Sequence, residues 1–221
     1  MFKTGNISVD FFSQAIIFVP LLPVIVILLR GIYQKDVLTF ILILCLMNCI
    51  GSLLPRISKA THSLQIAIQH VFSLIELIIL AQIFKPEISG RLRKLLDILL
   101  IAFISSALTY YLLEGADQNG SWISRFQDGI IITISIINLF KLIRNSDLDI
   151  FSLPLFWITV GTLFYFVVAD IMEAAGCCSV LSISTFTDKI LLLNIASLIR
   201  YFFYTVACFC YHPSKTSGDV S

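Results

Sequence analysis

The sequence predicts an all-α polytopic membrane protein, a bundle of seven transmembrane helices with its N-terminus outside and its C-terminus cytoplasmic. Three observations carry this. Of 221 residues, 58% are hydrophobic and 13% charged, against about 25% charge in soluble domains, and the mean hydropathy is +0.95. Seven apolar runs each approach the roughly 20 residues needed to cross a hydrocarbon core of about 30 Å. Lys and Arg, finally, collect on alternate connections, as the positive-inside rule requires.

The runs lie at 11–29, 37–54, 65–84, 95–113, 122–142, 154–174 and 189–210, forming one transmembrane domain over residues 1–221. The longest stretch between or beyond them, 175–188, is too short for a catalytic or DNA-binding domain. The 15 basic and 14 acidic residues nearly cancel, which argues against disorder and gives no basic footprint for nucleic acid. The partner this composition demands is the lipid bilayer, in the cytoplasmic membrane if the host is bacterial.

With the N-terminus outside, Arg30, Lys35, Lys85, Arg91, Arg93, Lys94, Lys141, Arg144 and Lys215 are cytoplasmic, while Lys3, Arg56, Lys59 and Lys189 are external. The basic loop 85–94 weighs most in this orientation and is the expected contact for a membrane or cytoplasmic signalling partner.

The first run follows a lone Lys3 and lacks a small-residue cleavage site, so it reads as a helix rather than a signal peptide. Pro20 and Pro23 should bend it near its middle. Pro55, Pro86 and Pro154 mark ends or starts of other spans, and Trp122 and Trp157 fall near interfaces. There is no internal repeat and no low-complexity stretch. Cys45, Cys49, Cys208 and Cys210 lie in spans, with the last pair open to acylation, and Cys177 and Cys178 are external. Sequons at Asn6 and Asn119 also fall outside.

Ionisable groups at membrane depth cost at least about 2.5–3.5 kcal/mol each on insertion scales, so each needs a partner, water or a function. Glu76 sits mid-span in the third helix and Arg200 mid-span in the seventh; His70, Arg125, Asp128, Asp170 and Glu173 lie nearer the outside. At about 100° per residue, Gln65, Gln69, Ser73 and Glu76 share one arc, which His70 widens. Thr159, Thr162, Asp170 and Glu173 share a side of the sixth helix, as do Asp128, Ser135 and Asn138 on the fifth, and Asn194, Ser197, Arg200, Tyr201 and Tyr204 on the seventh. The third, fifth, sixth and seventh helices therefore share a polar interior open toward the outside. Its candidate ligand-binding or proton-coupling residues are Glu76, Arg200, His70, Asp128, Asp170, Asn138, Asn194 and Tyr201. Interhelical hydrogen bonding alone could also explain such residues.

A retinal Schiff base needs a lysine where this chain has Arg200, and the three histidines are too scattered for a legible metal site. No Gly-x-Ser-x-Gly, HExxH, phosphate-cradling glycine loop or Pro-Gln pair is present. No catalytic residue, metal or cofactor is expected.

Three stretches resemble small seven-helix bacterial membrane proteins, largely uncharacterised, that look like the membrane input segments of some sensor kinases. They are Leu74-Ile75-Glu76-Leu77, the run from Leu155 to Phe166 with its Phe-Trp-Ile pattern, and Asn194 to Phe209. The resemblance covers spans three to seven and implies a sensory role, with Glu76, Trp157, Gly161 and Asn194 at the matching positions. No kinase module follows Ser221, so output is expected to need a partner. The leading expectation is a sensor that binds a small ligand, lipid or ion from outside. A transporter coupled through Glu76 beside Arg200, a lipid hydrolase using Asp128 and Asp170, and an assembly subunit are the alternatives.

Overall fold

A computed structural model describes residues 14, 16–32, 36–57, 62–88, 90–114, 121–145, 149–177 and 186–211. Lys3, Lys35, Lys59, Cys178, His212, Lys215 and both sequon asparagines, Asn6 and Asn119, lie outside these. The described residues form seven α-helices: α1 (Leu21–Leu29), α2 (Asp36–Ile57), α3 (His62–Phe84), α4 (Gly90–Glu114), α5 (Ser121–Asn145), α6 (Pro154–Cys177) and α7 (Phe186–Cys210). The six helices α2 to α7 are long and apolar enough to cross a membrane. They extend beyond the apolar runs at one or both ends because backbone hydrogen bonding continues into polar flanks.

The first helix departs from the expected bent span over 11–29. A 3₁₀ turn at Ile16–Phe18 gives way at Pro20 to α1, which starts afresh at Leu21. Proline lacks the amide donor that a continuous helix would use there, whereas Pro23, in the first turn of α1, forfeits nothing. The apolar helical stretch Ile16–Leu29 is the shorter one. Pro55 likewise falls inside the last turn of α2 instead of ending it, and Pro154 opens α6 at the favoured first position.

The loop expected at 85–94 is also corrected. Lys85–Glu87 is a 3₁₀ turn and α4 begins at Gly90, so Arg91 and Arg93 occupy its first turn and Lys94 opens the next, all exposed. Cations there oppose the helix macrodipole. Lys85 pairs with Asp97 at 2.7 Å, and Lys141 donates to the Glu87 carbonyl.

Packing runs in a closed ring, α1 to α2 to α3 to α5 to α6 to α7 and back to α1. α4 rests outside the ring on aromatic contacts, with Phe103 on Phe126 at 5.4 Å and Tyr110 on Trp122 at 5.5 Å. The outer surface carries Leu29, Leu112, Leu113 and Phe140 well exposed, while Gln127, Ser135, Asn138, Thr159, Thr162 and Arg200 are buried. An apolar outside around a polar inside suits lipid rather than water, and the bundle is compatible with a multi-pass membrane protein.

The ring closes at a designed-looking joint. Gly31, at φ +64°, lets Ile32 N–H reach the Ile27 carbonyl and Gly31 N–H reach Leu28, both at 3.2 Å, which is a Schellman ending. That ending directs Arg30 across to α7, where its guanidinium donates to the carbonyls of Cys208 at 2.6 Å and Phe209 at 3.1 Å. A cation on the last, unsatisfied carbonyls of a helix is favourable in charge and in hydrogen bonding. Arg30→Ala should therefore fray α7 over residues 206–210, raising amide exchange there by about tenfold, equivalent to about 1.4 kcal/mol of local opening. Unchanged exchange at those amides would show that the cap is idle.

Candidate functional site

The centre of the ring is polar because α2, α3, α5, α6 and α7 each contribute a side chain that lipid could not satisfy, while α1 is apolar throughout. Glu76 of α3 and Arg200 of α7 meet there: Nη2 of Arg200 lies 2.6 Å from Oε1 of Glu76, with the arginine side chain 2% and the glutamate 15% exposed. Arg200 Nε donates to the Tyr204 hydroxyl at 2.9 Å, one helical turn on, and that hydroxyl is 2.8 Å from Thr162 Oγ1 of α6. Asn48 Nδ2 of α2 reaches Glu76 Oε1 from the other side at 3.5 Å.

Four rings surround the guanidinium. Its carbon lies 4.9 Å from the ring centre of Tyr165, 5.3 Å from Phe166, 5.7 Å from Tyr201 and 5.2 Å from Tyr204, each within cation–π range. The approach of α6 that brings Tyr165 and Phe166 in depends on Gly161, where a Cβ would stand 2.9 Å from Phe203 Cβ and 3.1 Å from the Arg200 carbonyl. Trp157, a turn away, stacks on Phe203 at 5.5 Å and is fixed by its Nε1 donating to Phe151 O at 2.8 Å.

Further clasps join the same helices. Ser73 and Gln127 exchange two bonds between α3 and α5, at 2.8 and 2.9 Å. Between α5 and α6, Asn138 Nδ2 donates to Thr159 Oγ1 at 2.9 Å, and Ser124 donates to the Glu173 carboxylate at 3.1 Å, with Arg125 3.7 Å from it. Asp128 is 9% exposed, lies within electrostatic range of Glu173, Asp170 and Glu76, and makes no hydrogen bond or ion pair among the described residues. Asp170 is half-buried on α6.

Of the eight candidate residues, Glu76, Arg200 and Tyr201 meet directly. Asn138 bonds to α6 lower in the same interior, and Asp128 and Asp170 line its other end. Asn194 is half-buried on α7, about 9 Å along the helix from Arg200. His70 is the exception: its ring stacks on Tyr111 of α4 at 4.6 Å, so it belongs to the α3–α4 contact outside the ring and not to the polar interior. The step of about 60° from Ser73's side of α3 to His70's is enough to turn it to the peripheral helix.

Sequence reasoning missed Asn48, because α2 carries no charged residue at mid-span to mark that face as part of the interior. It also missed Tyr165 and Phe166, whose aromatic character does not distinguish a guanidinium cage from ordinary packing. Among the described residues no group of His, Cys, Asp or Glu forms a metal site. No protein-family model matches the chain, and no curated protein or solved structure is significantly similar to it.

Proposed function

We propose that the chain is a membrane sensor, oriented with its basic end, including the first turn of α4, in the cytoplasm. A small ligand, lipid or ion enters from the carboxylate-lined end between α5 and α6, and the helices rearrange around the Glu76–Arg200 pair. The exposed basic turn at Arg91, Arg93 and Lys94 then meets a membrane or cytoplasmic partner. The observation that carries this reading is the buried ion pair itself. Desolvating two charges costs several kcal/mol per ion, and replacing a buried pair by apolar residues is often neutral or stabilising, so a pair held at the meeting point of α2, α3, α6 and α7 is better explained by a two-state role than by stability. The resemblance of α3, α6 and α7 to sensor input segments points the same way.

The test compares transcript profiles of host cells lacking the protein and re-expressing it as wild type or as Arg200→Lys at equal membrane levels. Lysine keeps the charge but loses the fork that binds Glu76 and Tyr204 together. The expected result is a set of transcripts that wild type restores and Arg200→Lys does not. Identical profiles for the empty and wild-type cells would remove the sensory reading.

One observation favours a second reading, a proton- or ion-coupled carrier: the buried, unbonded Asp128 lies toward the acidic end of the interior, where a coupling carboxylate would be loaded. Solute uptake into proteoliposomes that follows an imposed pH or sodium gradient and is lost in Asp128→Asn would favour it.

A further inference from the structure

The seam between α5 and α6 holds buried polar atoms that its protein neighbours do not satisfy. Two contacts set its register. Ser124 meets Glu173 and Asn138 meets Thr159, and the antiparallel helices advance by the same number of residues between those contacts. That register puts Ser135 at the level of Thr162. Ser135 Oγ and Asn138 Oδ1 are both buried without a hydrogen-bond partner, and Ser135, Asn138, Thr159 and Thr162 are each 0% exposed.

Proton directions define what is missing. Asn138 gives one amide hydrogen to Thr159, whose hydroxyl in turn donates to the Leu155 carbonyl at 2.7 Å, and its Oδ1 is left as an acceptor without a donor. Arg200 Nε donates to the Tyr204 oxygen; the arrangement that uses the Tyr204 proton directs it to Thr162 Oγ1, 2.8 Å away. Thr162 then holds a proton with no acceptor among the described residues. The seam thus offers the Asn138 Oδ1 acceptor, the Thr162 donor and the Ser135 hydroxyl, which can serve as either, beside the second Asn138 amide hydrogen.

We propose that one ordered water molecule occupies the seam, accepting from Thr162 and bonding to Asn138 Oδ1 and Ser135 Oγ. Three hydrogen bonds are typical of a buried water, and a polar niche with 2–4 partners is what such a water requires. A bare cation matches less well, because it offers no acceptor for the Thr162 proton and would sit two hydrogen bonds from the Arg200 guanidinium. The water extends the chain Asn48–Glu76–Arg200–Tyr204–Thr162 into α5, so that one hydrogen-bonded circuit ties α2, α3, α7, α6 and α5. The water's place in the seam does not depend on a sensory role.

The experiment is a lipid-phase crystal structure, at a resolution that shows ordered solvent, of wild type and Thr162→Val in sodium and in rubidium buffer. The expected result is a peak within hydrogen-bond distance of Thr162, Ser135 and Asn138 in wild type, identical in the two buffers and lost in Thr162→Val. A peak that gains scattering in rubidium overturns the water in favour of a cation. An empty seam, with Ser135 bonded to its own helix and the Asn138 amide reversed, overturns it outright. The wild-type maps decide the matter even if Thr162→Val does not fold.

Discussion

Glu76→Leu is expected to destabilise the protein by about 3–5 kcal/mol, the range for breaking one side of a buried ion pair, because it strands the Arg200 guanidinium without its carboxylate. The four surrounding rings soften this through cation–π attraction, worth about 2 kcal/mol or more when desolvated, but rings accept no hydrogen bond in the geometry the Nη2 group makes with Glu76. The measurement is unfolding in bicelles by steric trapping or graded denaturant. A loss below about 1 kcal/mol would mean that the guanidinium finds water or another acceptor in the bundle, and that the interior is wetter than its burial implies.

Gly161→Leu has the second large effect. Even the Cβ of an alanine would stand 2.9 Å from Phe203 Cβ and 3.1 Å from the Arg200 carbonyl, and small residues at helix interfaces in lipid exist to permit such approaches. Alanine should cost about 1–3 kcal/mol as overpacking, and leucine more, by prising α6 from α7 and carrying Tyr165 and Phe166 away from Arg200. Trimming Phe203 to alanine should not rescue Gly161→Ala, since the opposing atom is the Cβ that alanine retains. Wild-type stability for Gly161→Ala, or rescue by Phe203→Ala, would show that the helices slide past each other freely.

The sequence made the bundle legible because lipid imposes one rule, a long apolar run, and the runs at 37–54, 65–84 and 154–174 obey it without ambiguity. The exceptions came where backbone chemistry acts locally. Pro20 divided the first run, and helical hydrogen bonds continued through Arg91, Arg93 and Lys94 although their charge suggested a loop. In the interior, charge at membrane depth identified Glu76 and Arg200, and the shared arcs identified the helices that pack together. Periodicity could not show that His70 turns toward α4, since it does not say which neighbour occupies which side. Nor could it show the cage, because tyrosine and phenylalanine on a buried face look the same whether or not a guanidinium lies between them. Asn48 is uncharged, on a helix with no ionisable residue at mid-span, and its role is found only once α2 and α3 are placed side by side.

If the Glu76–Arg200 pair serves the sensing proposed above and not stability, the double variant Glu76→Leu with Arg200→Met separates the two. Removing both partners leaves no stranded charge, so its unfolding free energy should be no lower than wild type by more than about 1 kcal/mol, and it could exceed it. In the same protein, the transcriptional response that wild type restores to deficient cells should be absent. A stable double variant that signals as wild type does would contradict the claim.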